Sequence, residues 1–327
     1  MDIISRFSEK IDAVNSAIDK FLRIREPKRL YSATRHLPLA GGKRLRPILA
    51  MLSTEAVGED WKKTIPFAVS LELLHNFTLV HDDIMDRSDL RRGIETVHVK
   101  FGEPTAILAG DILFAKSFEV LYELDIDDAI FKTVNRLLID CIEEICDGQQ
   151  IDMEFESRKY VSEEEYLEMI EKKTSALFSC ATTGGAIIGD GNNREVDSLS
   201  LYGRFFGLAF QIWDDYLDIA GEEGEFGKKI GNDIRCGKKT LMIVHATKNA
   251  DGREKETIFS ILGKKDATDE EINEVMEILT KSGSIDYAKK KALHFAEKAK
   301  EQLRVLPDSR AKRDLMELVD FAISRER

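Results

Sequence analysis

The chain has 327 residues, 43% hydrophobic and 33% charged, with only 6 prolines and 21 glycines. That mixture excludes a disordered chain and supports a sizeable core, and so few breakers over such a length favour long helices. A formal net charge of -12 argues against nucleic acid or an anionic membrane surface as the main partner, while leaving room for an anionic substrate held by local Lys and Arg.

Apolar residues recurring at i, i+3 and i+4 predict helices over 2–22, 44–57, 63–83, 105–124, 128–150, 163–187, 195–219, 238–248, 270–281 and 285–303. Ser162 with Glu165, and Thr268 with Glu271, read as capping boxes that open two of them. Strand signals are scarce, and 96–100 is the one short β-like run. No low-complexity linker interrupts the pattern, so a single domain over residues 1–327 is expected, with 221–239 as a long polar loop inside it. Residues 1–30 mix acids and bases without an apolar run, so no signal peptide is expected. No stretch of about 18 apolar residues occurs, so no transmembrane segment is expected either. Cys141, Cys146, Cys180 and Cys236 form no C-x-x-C pair and have no His at zinc-ligand spacing, as expected of reduced thiols in a cytoplasmic protein.

In chain order, the first chemical signal is Gly41-Gly42-Lys43-Arg44-Leu45-Arg46-Pro47 at a helix start. The glycines let backbone approach a ligand closely, and Pro47 suits a first helical turn. Lys43 and Arg46, at i and i+3, share a face that suits a diphosphate, whereas Arg44 points elsewhere. Alone, such a basic cap is as readily a surface feature.

Two acidic sets follow. Val80-His81-Asp82-Asp83-Ile84-Met85-Asp86 is echoed by Ile212-Trp213-Asp214-Asp215-Tyr216-Leu217-Asp218. Asp82 and Asp86 share a helix face, as do Asp214 and Asp218, and like charges at that spacing repel unless a cation bridges them. Mg²⁺ takes oxygen ligands and is usually held by one or two carboxylates plus substrate phosphates. Both sets continue apolar runs, 77–80 and 208–213, which argues against a merely solvated acidic face. Two such helices are expected to face each other across a cavity.

His75 lies two helical turns before Asp82 on the same face. Arg91-Arg92-Gly93 comes soon after the first acidic set, and adjacent arginines point apart and can serve different anions. Lys173-Thr174 sits mid-helix, Gln211 lies beside the second carboxylate set, and Lys228 and Lys238 flank that set in the polar loop. Taken singly, each of these reads as surface charge, or in the case of His75 as an ordinary helical residue, before it reads as a ligand.

Jointly and in order, these motifs, with Gly110-Asp111, Gly148-Gln149, Gly227-Lys228 and Gly237-Lys238, resemble the trans-isoprenyl diphosphate synthases from about Ser5 to the end of the chain. The resemblance implies an all-α fold, a single large helical bundle around a central cavity, acting as a homodimer. It implies a Mg²⁺-dependent prenyltransferase that condenses isopentenyl diphosphate with dimethylallyl, geranyl or farnesyl diphosphate. Lys43, Arg46, His75 and Arg92 would bind isopentenyl diphosphate. Arg91, Lys173, Thr174, Gln211, Lys228 and Lys238 would bind the allylic diphosphate. Asp82, Asp86 and Asp214 would hold the metal, three ions per site, and with Lys173 and Lys228 would carry the catalysis.

The resemblance also implies a tunnel for the growing chain, with a floor near the first acidic set. Phe77, five residues before Asp82, followed by the small Thr78 and an uninserted Asp-Asp-x-x-Asp, is similar to archaeal-type geranylgeranyl diphosphate synthases, which make a C20 product. Phe77 lies about 140° around an ideal helix from Asp82, so that role rests on the resemblance. Phe114 and Phe118 are further candidates for the tunnel wall. The alternatives are a farnesyl or C25 synthase, a class I terpene cyclase or a non-catalytic subunit of a heteromeric synthase. A cyclase has no use for a basic site at Lys43 and Arg46, and at the second set it usually has Ser or Thr where Asp218 stands, although Glu222 does occupy the cyclase Glu position. A non-catalytic subunit tends to lose motifs that this chain keeps.

Overall fold

The computed structural model describes residues 3–220 and 231–324. Helices account for nearly all of the regular structure; among the described residues the only strands are Leu90–Arg91 and Ile94–Glu95, an antiparallel pair with Leu90 opposite Glu95 and Arg91 opposite Ile94. The described residues form two compact units. The first runs to Ile139 and adds Cys180–Ser200 and Leu303–Glu317; the second comprises Asp140–Ser179, Leu201–Gln302 and the residues from Leu318.

In the first unit the helix Ile65–Met85 is the organising element. It is apolar on nearly every side and buries Phe67, Val69, Leu71, Leu73, Leu74 and Val80, as a helix surrounded by others must. Around it pack Ser8–Phe21, Leu45–Ala56 and Glu103–Glu119. The second unit is built on large buried rings. Phe178 and Phe206 meet at 5.1 Å between centroids, and Tyr166 and Tyr202 are wholly enclosed. Leu241–Asn249 lies against Ser284–Gln302, where the His245 ring stacks on Tyr287 at 4.2 Å.

Both capping boxes form, and a third, Asp251 with Glu254, opens Gly252–Ile261. The sequence reading departs from the structure in several places. Residues 96–100 are not a strand: Val97–Phe101 is a short helix that buries Val97 and leaves Val99 exposed, because one apolar contact from a helical turn is enough to seat it on the core. The hairpin sits immediately before it. The stretch 221–239 is not loop throughout, since Asn232–Cys236 is helical. The predicted helix 163–187 is broken by a π turn at Glu171–Ser175. Lys28–His36, Gly252–Ile261 and Arg310–Ser324 are helices that the periodicity reading passed over. Among the described residues no helix is long and apolar enough to cross a membrane.

Candidate active site

The first acidic set closes Ile65–Met85, with Asp86 as the C-terminal cap and its N–H bonded to the Asp82 carbonyl at 2.8 Å. The second set occupies the final turns of Asn193–Ala220. Carboxylates at a helix C-terminus oppose the helix dipole, each at a cost of about 0.3–1 kcal/mol. Placing three there twice makes sense where cations gather.

Within each set the middle aspartate is structural. Asp83 is buried and accepts a hydrogen bond from Arg91 Nε at 2.7 Å, while Arg91 Nη2 lies 3.9 Å from Asp82 Oδ2. Burial pushes the Asp83 carboxyl up to about 6, against the pull of Arg91. Asp215 is likewise buried, accepting from the Tyr166 hydroxyl at 2.7 Å and from Gln211 Nε2 at 2.8 Å. Burial pushes it up to about 7, with those two hydrogen bonds opposing. Asp218 is also buried and accepts the Asp233 N–H at 2.9 Å, so it anchors the turn into Asn232–Cys236. Asp82 is partly exposed, and Asp86 and Asp214 are exposed. These three are the more exposed carboxylates of the two sets. Among the described residues no three His, Cys, Asp or Glu side chains converge to hold a metal by themselves. An oxygen-only pair, Asp82 with Asp86 one turn on, suits a hard cation that takes the rest of its shell from phosphate.

The basic groups of the first unit form one cluster. Arg46 Nη1 lies 3.3 Å from His75 Nε2, which must accept, so the imidazole is neutral. Burial first, and then the neighbouring Arg46, hold the His75 pKa well below its ordinary value. Arg92 reaches the Gly41 carbonyl, and it does so from an unusual backbone: Arg92 and Gly93 have φ of 53° and 76°. Two consecutive positive φ values make the type I′ turn that a two-residue hairpin needs. The hairpin thus aims Arg91 at the aspartates and Arg92 at the glycine loop. Lys43 is exposed on that loop. Arg44 does turn away, into the interior, where it donates to Asn15 Oδ1 at 2.9 Å, Glu72 Oε1 at 2.5 Å and the Pro38 carbonyl at 2.6 Å.

In the second unit Lys173 and Lys238 meet on one acceptor: their ammonium groups lie 2.6 Å and 2.9 Å from Asp152 Oδ2. Burial alone would raise the Asp152 carboxyl; Lys173 and then Lys238 outweigh it and hold the carboxyl below its ordinary value. Thr174 donates to Gln211 Oε1 at 2.9 Å, joining a relay through Gln211 to Asp215 and Tyr166. Lys173 and Thr174 lie in the π turn, a distortion frequent at functional sites. Gly148 faces that turn, and a Cβ there would collide with the Lys173 backbone nitrogen, so only glycine allows the approach. Gly227, Lys228 and Glu222 lie outside the described residues.

Phe77 is half-buried. Its ring meets His81 at 4.9 Å and Phe114 at 5.2 Å, and Phe114 meets Phe118 at 5.4 Å, a continuous aromatic row. Sequence reasoning missed Glu72, Tyr166 and Asp152. Two signals existed: Glu72 is a lone acid inside an apolar helical run, and Asp152 stands one turn beyond Gly148.

A family model described as polyprenyl synthetase matches residues 27–279. The chain is 45% identical over 327 residues to a geranylgeranyl diphosphate synthase of Methanosarcina mazei, covering 100% of this chain and 99% of that one. It is 46% identical over 332 residues to a short chain isoprenyl diphosphate synthase of Methanothermobacter thermautotrophicus, covering 100% and 98%. The crystal structure of geranylgeranyl pyrophosphate synthetase from Pyrococcus horikoshii is similar with a TM-score of 0.96 at 45% identity, over 99% of each chain. With its acidic helix ends and clustered cations, the chain belongs to the polyprenyl synthetase family and is a prenyltransferase.

Proposed function

We propose that this enzyme adds isopentenyl diphosphate to an allylic diphosphate, with geranylgeranyl diphosphate (C20) as its main product. The observation that carries the reading is the pair of carboxylate sets at helix C-termini, the wrong ends for negative charge unless cations are recruited. Asp82, Asp86 and Asp214 are the proposed Mg²⁺ ligands, with three ions per site as the family resemblance implies. When bound, Mg²⁺ would neutralise charge that develops on the leaving diphosphate.

The chain's own residues do the remaining work. Arg91, Lys173, Lys228 and Lys238, with the neutral donors Thr174 and Gln211, bind the allylic diphosphate and stabilise it as the carbon–oxygen bond breaks. Lys43, Arg46, His75 and Arg92 hold the second diphosphate so that its olefin is poised for attack. The apolar wall keeps water from the allylic cation, and the departing diphosphate accepts the C2 proton. Phe77 is the proposed floor for the growing chain, supported by its row of rings with Phe114 and Phe118. The whole length, residues 1–327, is taken as one synthase domain, working as a cytoplasmic homodimer in keeping with the family resemblance.

The test is incubation with labelled isopentenyl diphosphate and each of dimethylallyl, geranyl and farnesyl diphosphate, with the products separated by chromatography. A C20 product from all three is expected. Accumulation of C15 or C25 overturns the assigned length, and no condensation with any primer overturns the reaction.

A further inference from the structure

We propose that Asp152 is a positioning residue for the allylic diphosphate: its carboxylate gathers Lys173 and Lys238 into one paired cationic anchor. The proposal rests on the reading that those lysines bind that diphosphate. Three observations point to it. Both ammonium groups bond the same oxygen, Oδ2, from two separate segments, the π turn Glu171–Ser175 and the stretch just beyond Asn232–Cys236. The Asp152 side chain is only 8% exposed, whereas those of Lys173 and Lys238 are 24% and 22% exposed, so the acid lies beneath and the cations face outward. Gly148, one turn earlier on the same helix, is the residue that lets the π turn come close enough for the contact.

The physical logic is preorganisation. Two ammonium groups held this close repel each other, and long lysine side chains lose rotamer freedom when fixed. A buried carboxylate between them offsets the repulsion and fixes both before substrate arrives. An ammonium carries three donors, so a bond to Asp152 does not exclude a bond to a phosphate oxygen. The anchor therefore meets the diphosphate already assembled, and Asp152 acts through the lysines without touching substrate.

The experiment is steady-state kinetics on the full-length enzyme with Asp152→Asn, Asp152→Ser, Asp152→Glu, Lys173→Ala and Lys238→Ala, varying the two substrates separately. Asp152→Asn is expected to raise the KM for the allylic diphosphate about tenfold, as loss of an outer partner does in comparable charged sites, with the KM for isopentenyl diphosphate within about twofold of wild type. Asp152→Glu, which restores the charge, should recover most of the loss. With both lysines replaced by Ala, Asp152→Asn should add nothing further to that KM. An unchanged or lowered allylic KM in Asp152→Asn, while each lysine variant raises it, overturns the proposal and leaves the lysine assignment standing. Lysine variants with an unaltered allylic KM overturn the lysine assignment itself, and the proposal with it. Equal rises in both KM values that Glu does not correct mark Asp152 as an ion-pair partner of the fold alone and overturn the proposal. Asp152→Ser runs in parallel in case Asp152→Asn does not fold, and failure of both to fold likewise assigns Asp152 to the fold alone.

Discussion

Arg44 Nη1 and Glu72 Oε1 are 2.5 Å apart, with their side chains 2% and 3% exposed, a fully buried ion pair directly beneath the glycine loop. Arg44 has a left-handed backbone at φ 51°, and its guanidinium also bonds Asn15 and the Pro38 carbonyl. The pair ties the loop that carries Lys43 and the helix start that carries Arg46 to the helix that carries His75.

Breaking a buried pair leaves one uncompensated charge inside the protein, at a cost of about 3–5 kcal/mol. Arg44→Ala or Glu72→Ala should each destabilise by that order in chemical denaturation, and the double variant by clearly less than the sum. Strict additivity would show that the two side chains do not act together.

His75 supplies a pH prediction. Its pKa is lowered by burial and by Arg46, so the folded protein binds fewer protons here than the unfolded chain does. Stability from this group is therefore fully present above the unfolded value near 6.5 and falls as pH drops below it, by at most about 1.4 kcal/mol per pH unit. His75→Gln should flatten the fall in melting temperature between pH 7.5 and 5.5. An identical fall in the variant would assign the acid sensitivity to other groups.

Metal dependence separates two kinds of residue. Condensation should cease on rigorous chelation and return with Mg²⁺. Asp82→Ala and Asp214→Ala should lower kcat by several orders of magnitude with modest KM changes, whereas Arg46→Ala should chiefly raise the KM for isopentenyl diphosphate. A rise confined to the allylic KM in Arg46→Ala would reverse the assignment of the two diphosphates.

Phe77→Ser should lengthen the product to C25 or beyond, because the ring that packs on Phe114 is removed from the row. The half-buried ring should cost about 3 kcal/mol or less of stability, the lower end for aromatic truncation, so a melting curve accompanies the product analysis. A folded, active variant that still stops at C20 would transfer the limit to Phe114 or Phe118.

The parts legible in the sequence were those written locally. Asp82 with Asp86, Arg91 beside Arg92 and the capping boxes depend on spacings of one to four residues, which a helix or turn converts directly into geometry. What stayed hidden depends on distant segments. Nothing near Asp152 announces Lys238, 86 positions away, and Glu72 looks like an interruption until Arg44 is seen beneath the loop. Lys28–His36 escapes a periodicity reading because it is short and mostly polar, with Leu30 and Ala33 as its few apolar residues on the core side. Residues 96–100 mislead because Val97 and Val99 both carry strand propensity, which the burial of Val97 from a helical turn overrides while Val99 stays exposed.

The hairpin tip has a consequence for how this enzyme can be improved. A left-handed backbone at Arg92 favours Gly, Asn or Asp, and an arginine there costs about 1 kcal/mol relative to them. Directed evolution that selects for heat resistance alone will therefore find Arg92→Gly or Arg92→Asn rewarding, and will discard the side chain that reaches the Gly41 carbonyl. If Arg92 holds isopentenyl diphosphate as proposed, robustness and turnover pull in opposite directions at this one position, and a library meant to yield a tougher catalyst should hold codon 92 fixed.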